Sequence, residues 1–183
     1  WTLPADVAVA LHPDLEYVLV KTPQEHLLLA LGRLKETMEA LGMERHEVVG
    51  SALGKALEGG KLKHPFVERE VPLVLADYVT LDEGTGAVHT APGHGADDFN
   101  TGQKYGLDIY APVGPGGQFL DTVELFAGQR VFDANASVEQ ELKRRSRLLH
   151  RSNFSHQYPH CWRCHHPVIF LATSQWFISL DRV

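Results

Sequence analysis

The sequence predicts a mainly β fold of the α+β class, in which short strands are interrupted by helices. Short runs rich in Val and Leu recur along the first half of the chain, and each is bounded by Pro, Gly or Asp. Apolar residues at helical spacing follow between them. This order is closer to a barrel with helical insertions than to a βαβ fold. A Rossmann or P-loop fold has no support.

The predicted strands share a β-branched, partly alternating pattern. They cover residues 6–12, 16–21, 27–31, 71–80 and 86–90. Pro13 and Asp14 are turn residues between the first two strands, which predicts a hairpin. Residues 48–57 are ambiguous. Residues 109–117, with their prolines and glycines, are predicted to be a loop or an edge strand.

Three helices are predicted from apolar spacing and stop signals. They are residues 31–41 followed by Gly42, residues 96–105 followed by Gly106, and a helix that has Asn135 as its N-cap and continues toward Leu149.

The bulk properties indicate a soluble globular protein. The 183 residues are 44% hydrophobic and 22% charged, which suffices for one core or two small ones. No apolar run approaches the roughly 20 residues of a membrane span, and no N-terminal stretch has the order of a signal peptide. Two closely spaced cysteines favour a reducing compartment, so we expect a cytoplasmic location and no membrane partner. Both ends lack polar fraying, which indicates a piece of a larger protein.

Residues 84–98, GTGAVHTAPGHGADD, concentrate the side chains that can do chemistry. Two His, two Asp and several Gly or Pro follow a predicted strand, which is how a scaffold presents a polar loop to a ligand. The glycines let backbone approach a ligand closely, and N–H groups at the start of the next helix can bind an oxyanion or phosphate. This segment is the candidate site.

Each polar residue of this segment also has a structural explanation. Asp97 and Asp98 could cap the helix, where carboxylates are favoured, but two adjacent carboxylates are more than one cap requires. We therefore assign Asp98 to the site and leave Asp97 open between the two roles. His89 ends a strand that leads into the loop, which favours a site role. A structural role is the better explanation for His94.

Three stretches resemble the editing insertion of the class I isoleucyl-tRNA synthetases and its return to the catalytic domain. They are GTGAVHTAPGHGADDF at 84–99, WTLPAD at 1–6 and HQYPHCWRCHHPVIFLATSQWF at 156–177. The resemblance covers essentially the whole chain. It implies an editing domain at residues 1–155 and a return segment at residues 156–183.

The resemblance implies a closed β-barrel decorated with helices, in agreement with the strand-rich prediction. It also implies that Asp98 holds the α-ammonium group of the mischarged amino acid, and that His89 contacts the aminoacyl-adenosine and helps to exclude isoleucine. The pocket would lie between a threonine-rich strand and the GTGAVH loop. On this basis the substrate-binding residues are Trp1, Thr2, Gly86, Thr90, Gly93 and Gly95.

One departure from the family pattern concerns the threonine-rich strand. The family reads TTTPWT there, and the sequence starts at its tryptophan, so Trp1 and Thr2 are the part of that wall that is present. If the other threonines position the substrate, this piece by itself is expected to bind or hydrolyse substrate poorly.

The implied function is hydrolysis of valyl-tRNA(Ile), and of valyl-adenylate as a further substrate, within an isoleucine–tRNA ligase. A pocket that accepts isoleucine rejects valine by roughly 1 to 3 kcal/mol, and this synthetase family is itself the usual worked example of why a second sieve is needed. Hydrolysis needs a positioned water and oxyanion donors but no side-chain nucleophile or cofactor. The implied partners are the tRNA(Ile) acceptor end, the valine moiety and the rest of the synthetase.

The CWRC sequence at 161–164 has the spacing of half a structural zinc site, because such sites need four Cys or His ligands. His160, His165 and His166 could complete it, but neighbours in sequence seldom all face one ion. In some members of the family, this pair joins a second Cys pair upstream of the insertion. We therefore expect Cys161 and Cys164 to bind zinc in the full-length protein and to form a weakened or empty site in this piece.

The charge pattern restricts how the chain can bind nucleic acid. The net charge of −6 argues against binding through bulk electrostatics, so any RNA contact must be local. The dense basic run consists of Lys143, Arg144, Arg145, Arg147 and Arg151. It is either a solvated helix face or a contact with the tRNA acceptor end.

Two rival functions stay open. The first is the editing domain of a valyl- or leucyl-tRNA synthetase, which His89 and the HTAPGHG loop disfavour. The second is a non-catalytic, zinc-dependent RNA-binding module built on the CWRC pair and the basic helix. Metal content, and loss of hydrolysis after Asp98→Ala, decide between this second rival and an editing domain.

Overall fold

The computed structural model describes residues 1–153 and 157–182. Its strands are β1 (Ala8–Leu11), β2 (Glu16–Lys21), β3 (His26–Ala30), β4 (Glu47–Leu53), β5 (Lys61–Lys63), β6 (Glu70–Leu75) and β7 (Ala87–Thr90). Its α-helices are α1 (Leu34–Leu41), α2 (Ala96–Tyr105) and α3 (Val131–Arg144). Short 3-10 turns lie at Leu3–Ala5, Leu31–Arg33, Gly54–Ala56 and Leu180–Arg182.

The strands form two sheets. A four-stranded sheet has the order β5-β6-β1-β7, and a three-stranded sheet has the order β3-β2-β4. In the first, β1 is parallel to β6 and antiparallel to β7. In the second, β2 is antiparallel to both neighbours, and its register with β4 shifts between Leu19 and Val20. The class is therefore mixed α+β.

The prediction of a closed β-barrel is wrong. Across residues 1–153 and 157–182, β5 and β7 are the edges of one sheet and β3 and β4 are the edges of the other. A barrel removes such edges by pairing its first strand with its last. Here no ladder joins the two sheets, so both stay open, and β7 keeps a free edge beside the candidate site.

The predicted hairpin between the first two strands is also wrong. Both strands exist, but β1 lies between β6 and β7 and so has no free edge for β2. The connection after β1 is fixed instead by Tyr17, whose hydroxyl donates to the carbonyl of Gly86 at 2.6 Å and accepts from the N–H of His12 at 2.9 Å. The chain is thus turned away from its own sheet.

Apolar side chains pack around both sheets. One buried group joins β2, β3 and α1 through Val18, Val20, Leu29 and Met38, and a second covers the four-stranded sheet. A third group joins the two sheets through Leu11, Tyr17, Ala30 and Leu73.

A fourth group lies beneath α3 and consists of Phe66, Val113, Phe119, Val123, Phe126, Val131, Ala134 and Val138. Trp1 and Leu3 pack against this fourth group, which holds the start of the chain in place.

Helix α3 starts four residues before the predicted N-cap. Arg130, in extended conformation, stands at the N-cap, and Asn135 lies within the first turns of the helix. The side-chain carbonyl of Asn135 accepts a hydrogen bond from the backbone nitrogen of Trp1 at 2.7 Å. The prediction of Asn135 as the N-cap is therefore wrong, and its side chain binds the nitrogen of Trp1 instead.

Residues 157–182, the described part of the return segment, have little regular structure. Its contact with the candidate loop is specific, because the N–H of Ala172 donates to the carbonyl of Gly93 at 2.9 Å. Beyond that contact, Trp176 and Phe177 are almost fully exposed. The predicted boundary between residues 155 and 156 lies outside the described residues.

In the described part of the chain, no helix combines the length and apolar character that crossing a membrane requires.

Asp6 provides a pH-dependent test of this fold. It is 3% exposed, and its Oδ1 accepts from the N–H of Thr90 at 3.1 Å. Burial raises its pKa from 3.8 to about 6, against the opposing effect of its backbone hydrogen bonds. The folded chain therefore holds this proton more tightly than the unfolded chain, and stability decreases as the pH rises from about 4 to about 6.

Asp6→Asn keeps an oxygen acceptor for Thr90 and cannot ionise. We expect the stability of this variant relative to the parent chain to increase by roughly 1.4 kcal/mol between pH 5 and pH 8. Urea unfolding at the two pH values measures the difference, and Asp77→Asn, at an exposed position, is the control. An Asp6→Asn effect of equal size at both pH values would contradict the prediction.

Candidate active site

Strand β7 and the first turn of the chain position the central pair of the site. In the antiparallel ladder, His89 lies opposite Val9, and the ladder continues past β1 because the N–H of Val7 donates to the carbonyl of Thr90 at 3.0 Å. The 3-10 turn Leu3–Ala5, which has Pro4 near its start, then brings Thr2 back over β7. Two residues that are 87 positions apart in sequence thus become neighbours.

His89 and Thr2 are joined by a hydrogen bond. The distance between Nε2 of His89 and Oγ1 of Thr2 is 2.8 Å. The imidazole is open to solvent on one side, while the protein around it lowers its pKa below 6.5 by desolvation, against the opposing charge of Asp98. The ring is therefore neutral at pH 7, so one ring nitrogen can donate a hydrogen bond and the other can accept one.

Asp98 lies in the first turn of α2 and reaches back to the end of β7. Its Oδ2 accepts from the N–H of Ala91 at 2.9 Å, and its Oδ1 accepts from the hydroxyl of Tyr78 at 3.3 Å. A side chain at Gly95 would not fit easily, because a Cβ there would lie 3.0 Å from Oδ2 of Asp98. Asp97, by contrast, is exposed in the same helical turn.

Asp98 is therefore more than a helix cap. The N-cap residue of α2 is Gly95, and no side chain caps the helix. The Asp98 carboxylate joins α2 to the end of β7, beside His89. Next to desolvation, which is the larger effect on both groups, its charge acts to raise the pKa of Asp6 and of His89. Two of the roughly four acceptor positions of a carboxylate are occupied, which leaves capacity for a bound cation.

The glycines and Thr90 have mainly packing roles in this conformation. Gly86 has a φ of +75°, and a Cβ there would lie 2.5 Å from the Cβ of Ala30. At Gly93 a Cβ would lie 2.4 Å from the carbonyl oxygen of Tyr110. Thr90 is fully buried. Gly93 and Gly95 also line an open groove of about 490 Å³ between the loop and the return segment.

His94 has a structural position, as its sequence context indicated. It is buried, its Nδ1 lies 3.1 Å from the carbonyl oxygen of Phe170, and its ring packs edge-on against Trp1 at 4.9 Å. Trp1 thus packs against the candidate loop through His94, and His94 ties that loop to the return segment.

Sequence reasoning missed two residues of the site, Asp6 and Tyr78. Asp6 was predicted as the first residue of a strand and as part of WTLPAD, without a site role, yet it is buried and accepts from the N–H of Thr90. Tyr78 was placed within a predicted strand at 71–80, whereas β6 ends at Leu75 and Tyr78 follows in a turn. A polar aromatic residue at the end of a Val- and Leu-rich strand was the available signal for Tyr78.

The two cysteines form a preorganised turn. Backbone N–H groups of Cys164 and Arg163 direct hydrogen bonds at the sulfur of Cys161 and lower the pKa of its thiol. The turn is closed by the N–H of Cys161, which donates to the carbonyl of His166 at 2.8 Å. Within residues 1–153 and 157–182, no group of three or more His, Cys, Asp or Glu side chains could hold a metal ion.

The basic run at the end of α3 is partly neutralised. Arg144 makes two hydrogen bonds of 2.7 Å to Glu141, and Arg145 contacts the same carboxylate, which lowers the pKa of Glu141 to about 2. Arg151 pairs with Glu139 at 3.3 Å. Among the described residues, Lys143 and Arg147 take part in none of the ion pairs.

Comparison with known proteins assigns the family. Residues 25–141 match the family described as "Leucyl-tRNA synthetase, editing domain". The whole chain is 52% identical to an isoleucine–tRNA ligase from Nitratidesulfovibrio vulgaris (strain DP4) and covers 19% of that protein. It is 54% identical over its full length to the isoleucine–tRNA ligase from Aeromonas hydrophila, of which it also covers 19%. The chain thus spans about a fifth of the length of these relatives.

Solved structures show the same fold at low identity. The crystal structure of GlLeuRS-CP1 aligns with a TM-score of 0.63 at 16% identity, over 84% of this chain and 81% of that one. The editing domain of the cytosolic leucyl-tRNA synthetase from P. falciparum aligns with a TM-score of 0.58 at 10% identity, over 79% and 75% of the two chains. Together with the full-length match to isoleucine–tRNA ligases, these findings show that the chain is an editing domain of the isoleucine–tRNA ligase family of aminoacyl-tRNA synthetases.

Proposed function

We propose that this editing domain hydrolyses valyl-tRNA(Ile), and valyl-adenylate as a second substrate, within an isoleucine–tRNA ligase. The observation that carries the proposal is the placement of Asp98 beside the His89–Thr2 pair, because it puts an anion and two neutral hydrogen-bonding groups at one strand end. An aminoacyl ester presents the complementary groups, namely an ammonium group and a ribose with hydroxyls.

We propose that Asp98 binds the ammonium group of the substrate. A charge-assisted contact of this kind is among the stronger hydrogen bonds in proteins, and it selects an α-amino acid while orienting its carbonyl. The Tyr78 hydroxyl and the Ala91 N–H fix the carboxylate in advance, so little freedom is lost when substrate binds.

We propose that His89 and Thr2 form hydrogen bonds with the ribose or with the attacking water. In the reaction, water adds to the ester carbonyl, the carbon–oxygen bond to the ribose breaks, and valine and a free ribose hydroxyl result. The hydrogen bond to Thr2 holds the His89 ring at the pocket wall, where its volume would also oppose the longer side chain of isoleucine. The N–H groups of Gly93 and Gly95 are our candidates for stabilising the oxyanion, since the N–H of His94 between them donates to the carbonyl of Ala91.

Hydrolysis of this kind requires no cofactor on our proposal, because protein groups and water supply each role. Zinc belongs to a different part of the molecule. Cys161 and Cys164 supply two thiol ligands on one turn, and a structural site needs two more, which we propose come from elsewhere in the full-length protein. The remaining partners that we propose are the acceptor end of tRNA(Ile) and the rest of the synthetase, in the cytoplasm.

Removal of the Asp98 charge tests the central assignment. Asp98→Asn keeps the acceptor for Ala91 but loses the charge–charge contact, so we expect kcat/KM for valyl-tRNA(Ile) hydrolysis to fall by roughly 10- to 100-fold. The matched control is Asp97→Asn in the same helical turn, which should keep activity within about 2-fold of the parent enzyme, a change below 0.5 kcal/mol. Hydrolysis that is unaffected in the Asp98 variant would contradict the site assignment.

The pH profile of hydrolysis tests the role of neutral His89. Because desolvation lowers the pKa of His89 below 6.5, the ring is neutral at pH 7 and becomes charged only on acidification. A charged ring cannot accept a hydrogen bond and would repel the substrate ammonium group, so kcat/KM should fall on the acidic side of pH 6.5. Since Asp6 also titrates near pH 6, the Asp6→Asn enzyme should retain this decrease. A decrease that disappears in that variant would refute the assignment to His89.

The basic run tests for RNA contact. We propose that Lys143 contacts the tRNA, because Arg144 and Arg145 already share Glu141. Lys143→Glu should weaken tRNA binding. It should also reduce the slope of log K against the logarithm of the salt concentration by about one, the value for one lost phosphate contact. Lys63→Glu, at an exposed position of β5, is the control. Equal effects of the two substitutions would indicate a solvated helix face instead.

A further inference from the structure

The Tyr78 phenol lies in a polar cluster between β7 and α2. Its hydroxyl donates to Oδ1 of Asp98 at 3.3 Å. Burial raises the pKa of Tyr78, and the nearby hydroxyls of Thr90 and Thr101, both on buried residues, act in the opposite direction. Thr90 Oγ1 otherwise makes no well-formed hydrogen bond within the described part of the chain. This cluster lies directly behind the carboxylate that we assign to the substrate ammonium group.

The two oxygens of Asp98 are held from different sides. Oδ2 takes the N–H of Ala91, a rigid backbone donor, whereas Oδ1 takes the side-chain hydroxyl of Tyr78. Without the Tyr78 hydroxyl only Oδ2 would be held, so rotation about the Cβ–Cγ bond of Asp98 would be less restricted. The phenol therefore defines the plane of the carboxylate, and with it the direction of the acceptor positions that stay free.

We propose that Tyr78 is a positioning residue that orients Asp98 and thereby sets how strongly the site prefers an acyl group with an α-ammonium over one without it. The proposal rests on the proposed function of Asp98, and it deepens it by assigning amine selectivity to the Tyr78–Asp98 pair. Tyr78 does not touch the substrate. Its effect reaches the ligand through one hydrogen bond, so it is confined to ligands that carry the ammonium group.

The chain offers a matched control in Tyr105. Its hydroxyl also links elements of the fold, since it accepts from the N–H of Leu75 at 3.0 Å and donates to Glu58 at 2.6 Å. It has no hydrogen bond with Asp98 in the described residues. Tyr78→Phe and Tyr105→Phe each remove one phenolic oxygen, and only the first removes a donor to the site.

The test uses two probes and the full-length protein that contains this domain. The first probe is adenosine with L-valine attached through a 3′-amide in place of the ester, and the second is its isovaleryl counterpart, which lacks the amino group. A saturating isoleucyl-sulfamoyl adenosine keeps both probes out of the synthetic site. The ratio of the two dissociation constants measures the preference of the editing site for the ammonium group.

We expect the parent enzyme to prefer the amine probe and Tyr78→Phe to reduce that preference roughly 5- to 20-fold, as loss of one hydrogen bond to a charged group implies. Tyr105→Phe should leave the ratio unchanged. In an Asp98→Asn background, Tyr78→Phe should have no further effect on the ratio, because the two residues act through one contact.

Several results would overturn the inference: an unchanged ratio in Tyr78→Phe, an equal loss of affinity for both probes, the same change in Tyr105→Phe, or a parent enzyme that does not distinguish the probes. Hydrolysis of valyl-tRNA(Ile) by the parent enzyme is measured separately. If it is absent while the ratio behaves as expected, the proposed function fails and the role of Tyr78 stands.

Discussion

Strand β1 pairs with β7 in a register that sets Val9 opposite His89, and backbone and side-chain contacts continue this pairing past the end of β1. The N–H of Val7 donates to the carbonyl of Thr90, and the carboxylate of Asp6 accepts from the N–H of the same residue. This double attachment stops the chain from fraying where β1 begins. The turn that carries Thr2 over His89 is rigid because its base is rigid.

The attachment has an electrostatic cost, because it buries a carboxylate. Asp6 is a buried carboxylate whose pKa is raised by desolvation and, to a lesser degree, by the nearby charge of Asp98. Arg69 opposes this effect, and its guanidinium also donates to the backbone carbonyl of Asp6 at 2.7 Å. Asp6 and Asp98 thus bring two carboxylates to one strand end, and Arg69 offsets part of their charge.

The sequence predicted local structure well and long-range pairing poorly. Helices α1 and α2, with their stops at Gly42 and Gly106, follow from apolar spacing and from the left-handed conformation that glycine tolerates. The barrel and the first hairpin were wrong because strand partners are chosen by burial across the whole chain, which a local pattern does not encode. The resemblance to synthetase editing domains identified the family, although the architecture it implied did not hold for these sheets.

The same holds for the candidate site: residues marked by the local sequence were predicted, and residues that depend on long-range contacts were missed. His89 and Asp98 were predicted from a loop that concentrates polar residues after a strand, and the structure places them close enough for the charge of Asp98 to act on His89. Tyr78 and Asp6 were not predicted, since each becomes a site residue only through a contact with a residue that is distant in sequence. Arg144 and Arg145 are the opposite case. The sequence predicts a basic surface there, but in the structure both side chains pair with Glu141.

The central position of β1 in its sheet has a consequence for how the protein folds. Its partner β6 lies more than 60 positions later in the chain, and β7 lies about 80 positions later, so neither ladder forms until a long loop has closed. Such non-local pairing makes folding slow compared with helical domains of similar size. During synthesis the first strand stays unpaired until β6 has left the ribosome, and its other edge stays unpaired until the segment that carries His89 has followed.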